Sequence, residues 1–222
     1  MIRNLSLAMS STFLASATLH AGEAAPARNV VLVDGFGLVH TGWPFRSLRK
    51  KLEQNGCVCL EPVIRPKDAR GGIEPLAESL KAEIEQRFGA EQPVSIVGFS
   101  MGGLISRYYL QHLGGSSRCS QLITISSPHN GTITAWLYPS RGAVQMRPNS
   151  EFLATLKKSE AELRDMPVVS YRTPLDLMIL PASSSIWERA ENRLFVSSMH
   201  HLMPHHRGVV RDVVKRLCGS PD

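Results

Sequence analysis

From residue 29 onward, short apolar runs alternate with longer amphipathic ones. Val30-Val31-Leu32-Val33 has no polar alternation, the pattern of a strand buried on both faces of a parallel sheet. Residues 44–54 then carry Phe45, Leu48 and Leu52 at helical spacing and end at Gly56, and 58–64 return to strand character. Leu76, Leu80, Ile84 and Phe88 recur every four residues, which predicts a helix over 73–88 that stops at Gly89. The rhythm continues with a strand at 94–97, a helix at 104–113 and a strand at 122–125. Repetition of strand, helix and strand predicts a doubly wound α/β fold, its mostly parallel sheet covered by helices on both faces.

Residues 127–165 break that rhythm. Pro128, Gly131, Pro139, Gly142 and Pro148 punctuate an irregular stretch before a helix-like segment at 151–158. Residues 168–171 and 194–196 read as the last strands and 209–217 as a closing helix. No repeat or low-complexity linker intervenes, so 26–222 read as a single domain. Residues 1–25 differ: Arg3 supplies a short positive region, 5–19 are apolar or small, and small residues follow through Ala25. This is the pattern of an export signal, with cleavage after Ala17, Ala21 or Ala24, and it predicts a periplasmic or secreted mature protein.

Composition narrows the functional classes. The 222 residues are 43% hydrophobic and 20% charged, with 25 Lys and Arg against 19 Asp and Glu for a formal charge of +6. The signal segment removes one Arg and one Glu, so the mature chain keeps that surplus. Its cations are scattered, with no run longer than Arg49-Lys50-Lys51, so a nucleic-acid partner is not expected. Peripheral attraction to anionic lipid surfaces is expected instead. Cys57, Cys59, Cys119 and Cys218 show no zinc spacing. Cys57 and Cys59 share one face of a strand, so either could bridge to Cys119 or Cys218, or all four could stay buried thiols.

The sharpest chemistry follows the strand at 94–97. Gly98-Phe99-Ser100-Met101-Gly102-Gly103 carries G-x-S-x-G between a strand and a helix, the context of a nucleophile elbow that pushes the serine hydroxyl out above the sheet. Ser100 is the candidate nucleophile. Acid and base then follow in the order Ser, Asp, His. Asp176 lies in the loop after the strand at 168–171, whereas Asp165 precedes that strand and lies at its wrong end. The base follows the final strand, where His200 and His201 both stand. Backbone N–H groups of Met101 and of Phe36, in the loop after the first strand, are the candidate oxyanion donors. His205 and His206 read as exposed loop residues, and no carboxylate or cysteine joins the histidines of 200–206 at metal-ligand spacing, so no metal or cofactor is expected. His129 reads as structural, beside the elbow.

These residues resemble the small bacterial lipases and carboxylesterases of the α/β-hydrolase superfamily, over nearly all of residues 30–217. Gly98 to Gly103 is similar to their elbow, Ser127-Pro128-His129-Asn130-Gly131-Thr132 to the segment after their next strand, and Met146-Arg147-Pro148-Asn149-Ser150 to the following helix entry. Pro174-Leu175-Asp176-Leu177-Met178-Ile179 is similar to their acid loop. Setting His200 on the family's base pattern aligns Met203 and Val209, whereas His201 would put Pro204 in an apolar slot; His200 is preferred and His201 kept as the alternative base. The resemblance implies a compact α/β-hydrolase fold and hydrolysis of short to medium-chain carboxylic esters through an acyl-enzyme, by a monomer. An acyltransferase, thioesterase or amidase on the same triad, or a non-catalytic binding protein retaining the fold, are the alternatives.

One departure stands at the oxyanion loop. Related lipases usually carry His-Gly there, and this chain has Asp34-Gly35. A carboxylate beside a developing oxyanion is unfavourable unless loop donors anchor it, which is the expectation for Asp34. The segment at 131–148, with Ile133, Trp136, Leu137 and Tyr138, reads equally as a short apolar flap or as ordinary packing, and is too short for a large helical lid.

Overall fold

The structure is a computed structural model that describes residues 28–37 and 44–219. The export segment at 1–25 lies outside the described residues. Six strands form one parallel sheet: β1 (Arg28–Val33), β2 (Cys57–Leu60), β3 (Val94–Phe99), β4 (Cys119–Ile125), β5 (Val168–Arg172) and β6 (Glu191–Leu194). Their order across the sheet is β2-β1-β3-β4-β5-β6. β3 and β4 are central because their residues Ile96, Val97, Leu122, Ile123 and Ile125 are apolar on both sides and find neighbours on both faces.

Alternation along the strands feeds two cores. Val31, Val33, Ile96 and Leu122 point to a layer of α2 (Glu74–Phe88), α3 (Met101–His112) and α5 (Glu151–Lys158). Val30, Leu32, Val97, Ile123 and Val169 point the other way, to α1 (Arg46–Gln54) and α6 (Arg207–Cys218). The predicted helical stripes are the buried ones: Leu48 and Leu52 in α1, Leu76, Leu80 and Ile84 in α2, and Val209, Val213 and Leu217 in α6. At ~25 cal/mol per Å² of apolar surface, each fully buried Leu or Ile contributes roughly 1.5–3 kcal/mol.

Two strands depart from the expected bounds. β2 pairs only over Cys57–Leu60, not 58–64, and Pro62 stands just past its end. β6 spans Glu191–Leu194 rather than 194–196, and all four of its residues are exposed. Within the irregular stretch lie a 3-10 turn at Ile133–Leu137 and α4 (Arg141–Gln145), capped by the Ser140 hydroxyl accepting from Ala143 N–H at 3.3 Å. No helix among the described residues is long and apolar enough to cross a membrane.

Candidate active site

Ser100 stands between β3 and α3 with φ 54° and ψ −126°, a backbone region that costs about 1–3 kcal/mol for a residue with a side chain. It is held there from two sides: its N–H donates to Ile125 O of β4 at 2.8 Å, and its carbonyl accepts Gly103 N–H at 3.1 Å. The turn brings α3 so close to β1 that a Cβ at Gly102 would lie 2.1 Å from Val33 O, so only glycine fits there. The serine side chain remains partly exposed at the carboxyl edge of the sheet.

The loop after β1 runs beside it. A Cβ on Gly35 would lie 2.7 Å from Ser100 Cβ and 3.3 Å from its Oγ. Phe36 follows, its ring edge-on to Tyr138 at 5.2 Å. Across the serine, Met101 opens α3 and carries one of the N–H groups that a helix leaves without an internal acceptor. Phe36 and Met101 therefore sit on the two backbone segments that border Ser100.

Asp34 is anchored as expected. Its Oδ1 accepts Gly35 N–H at 2.7 Å and its Oδ2 is ion-paired with Lys67. Lys67 also accepts Gly37 N–H through its carbonyl at 3.2 Å, so one residue grips the loop twice. Lys67 belongs to no motif, and nothing in the sequence singles it out.

Asp176, 3% exposed, lies in the loop after β5. Its Oδ2 accepts a hydrogen bond from His200 Nδ1 at 2.8 Å, and its Oδ1 accepts the N–H groups of Met178 at 2.9 Å and Ile179 at 2.8 Å. Burial alone would raise this carboxyl's pKa. The hydrogen bond and charge of His200, with the two backbone donors, outweigh it and hold the group below the usual carboxylate range, ionised at neutral pH. His200 is buried, and its ring lies 4.8 Å from that of Phe99, the residue before Ser100. With Nδ1 committed to Asp176, its Nε2 is the ring nitrogen left to exchange a proton. The alternative base, His201, is exposed, whereas His200 is buried against the Asp176 carboxylate, and Asp165 is exposed ahead of β5.

His205 and His206 are half-buried, not exposed as expected. Ser47 Oγ and His205 Nδ1 share a hydrogen bond at 2.9 Å, and His206 Nδ1 caps α6 by accepting Gly208 N–H at 3.2 Å. The α6 entry needs a side-chain acceptor, and packing of His206 on Phe195 holds it in place. His129 is structural: it is hydrogen-bonded to Thr124 Oγ1 at 3.0 Å and stacked on Trp187 at 4.6 Å. Among the described residues no group of three or more His, Cys, Asp or Glu is placed to hold a metal ion.

Exposed apolar residues form a rim along the acid loop, the segment before His200 and the irregular stretch fastened to the acid loop. Leu175, Leu177 and Met178 of the acid loop, Val196 and Met199 ahead of His200, and Ile133, Trp136 and Leu137 of the irregular stretch are all exposed. That stretch is fastened rather than loose: Ile133 N–H donates to Leu180 O at 2.9 Å, Thr134 Oγ1 to Met178 O at 2.6 Å, and the Arg147 guanidinium covers Trp136 at 4.1 Å.

Known proteins share this architecture. Aspergillus fumigatus lipase B superposes with a TM-score of 0.73 at 18% identity over 86% of this chain, which spans about half (52%) of that enzyme's length. The mature form of Bacillus licheniformis lipase BlEst2 gives 0.66 at 16% identity, covering 89% of this chain and 94% of its own. A monoacylglycerol lipase from Paleococcus ferrophilus gives 0.65 at 14%, covering 86% and 93%. No curated protein sequence matches the chain. A profile of the alpha/beta hydrolase fold matches residues 63–201, a span that takes in Ser100, Asp176 and His200. The chain belongs to the alpha/beta hydrolase fold family.

Proposed function

We propose that the protein is an exported carboxylic ester hydrolase working through an acyl-enzyme. The observation that carries this reading is the 2.8 Å hydrogen bond between the buried His200 and Asp176, with the His200 ring packed at a tilt against Phe99, the residue that precedes Ser100. Ser100 Oγ attacks the ester carbonyl while His200 Nε2 takes its proton. Asp176 keeps the imidazole oriented. The N–H groups of Phe36 and Met101 receive the oxyanion. His200 returns the proton to the departing alcohol, and a water molecule activated in the same way releases the acid.

The apolar rim supports an apolar acyl or alcohol group, and the fastened 131–148 stretch supports short to medium chains, because it leaves no long segment free to cover a long one. The apolar 5–19 run behind Arg3 supports export. Replacing Ser100 with Ala is expected to lower kcat on p-nitrophenyl butyrate by at least about 10⁴-fold in folded protein. Unchanged turnover would refute the assignment.

A further inference from the structure

Three of the four cysteines meet at the end of the sheet remote from Ser100. Cys57 opens β2 and Cys218 closes α6, and their sulfur atoms lie 2.9 Å apart, closer than unbonded sulfurs ordinarily approach. Cys59, two residues along the strand, shares the face covered by α1 and α6. Cys119 cannot join them: it packs into the core on the opposite face, where its thiol donates to Gln121 O at 3.2 Å. We infer that Cys57 and Cys218 form a disulfide that clamps the last turn of α6 to the first residue of β2.

The oxidant is an external disulfide, such as oxidised glutathione. Cys218, the less buried of the two, attacks it as thiolate, breaking its S–S bond, expelling one thiol and leaving a mixed disulfide. Cys57 then displaces the second thiol. One protein S–S bond forms, one external S–S bond is reduced, and the two cysteine protons leave on the two released thiols. Burial pushes the Cys57 thiol up to about 12, with the hydrogen bond and charge of Cys218 adding to it, and burial, with the charge of Glu53 adding to it, brings Cys59 to a similar value. Neither is a ready thiolate at neutral pH, and Cys218 is the more exposed sulfur of the bonded pair, so entry is through Cys218 and exchange on the folded chain is slow. Once formed, the bond is sheltered from reductant by the same burial.

The inference does not depend on the proposed ester hydrolysis, and the test reads chemistry at sulfur. Reduced protein is incubated with oxidised glutathione, denatured, alkylated with N-ethylmaleimide and digested without reduction for mass spectrometry. The expected result is a cross-linked peptide pair containing Cys57 and Cys218, with Cys59 and Cys119 alkylated. The same link is expected in Cys59→Ser. Alkylation of all four cysteines, or a link through Cys59, would overturn the inference. Oxidation should also raise Tm by about 10 °C, given the long loop closed, and leave Cys218→Ser unchanged. Equal Tm values for the oxidised and reduced wild type would count against the clamp.

Discussion

Gly35 has no freedom to be anything larger. A methyl group there would press on Ser100 Cβ at 2.7 Å, and either the oxyanion loop or the serine would have to retreat. Displacements of about 1 Å at a reacting centre cost on the order of 10²-fold in rate, so Gly35→Ala should lower kcat on p-nitrophenyl esters by about that factor while circular dichroism shows the fold intact. Full activity would mean that the loop yields without consequence. Such residues differ in how far the chain alone reveals them. Gly98, Ser100 and Gly102 are legible because they fall in one contiguous strand-turn-helix motif, although the close approach that makes Gly102 necessary is to Val33 of β1. Asp176 is legible from its place after β5. The choice of His200 over its neighbour rests on contacts across 24 residues of chain, and only the resemblance to known hydrolases favoured it beforehand. Lys67 left no trace, because its partner Asp34 lies 33 residues away and neither forms a pattern with the residues beside it.

At the scale of elements, the loop after β1 is a suspended backbone segment whose position depends on Lys67. Lys67→Met would leave the Asp34 carboxylate without its counter-charge beside the place where negative charge develops. The expected effect is a fall in kcat of about tenfold, ~1.4 kcal/mol of transition-state stabilisation, with little change in KM. Asp34→Asn in the same molecule should recover most of it, since the stranded charge is then gone. A rise in KM alone, or no recovery in the double variant, would show that the pair does not act on the oxyanion. Strand bounds illustrate the same limit of local pattern. β2 looked longer because Val63 and Ile64 continue its apolar character, but pairing ends at Leu60, ahead of Pro62. The apolar Phe195 and Val196 suggest a strand at 194–196, whereas the residues that pair, Glu191 to Leu194, bury neither face and carry no period of two.

For the molecule as a whole, one buried polar knot links distant parts of the chain. Arg107 of α3 reaches Glu160 at 2.9 Å and lies over Trp187 at 4.1 Å, while His129 packs against both the arginine and the tryptophan. Burial, and then the charge of Arg107, hold His129 well below its ordinary 6.5, so it is neutral in the folded state. The unfolded chain takes up a proton near that pH that the folded chain refuses, so stability is complete above ~6.5 and falls as pH drops below it. Between pH 7.5 and 5.5 the loss from this residue is about 1.4 kcal/mol, and His129→Gln should remove it. Urea unfolding of both proteins at the two pH values is the check; parallel losses would acquit His129. The outer edge of the sheet has a consequence of another kind. Among the described residues β6 is an edge strand of the sheet, yet Arg216 braces its Glu191 at 2.6 Å and Asp212 faces its Arg193 at 3.8 Å. A strand from another molecule would have to add itself beside a charged, ion-paired border, and so at β6 the sheet resists growing into a fibre.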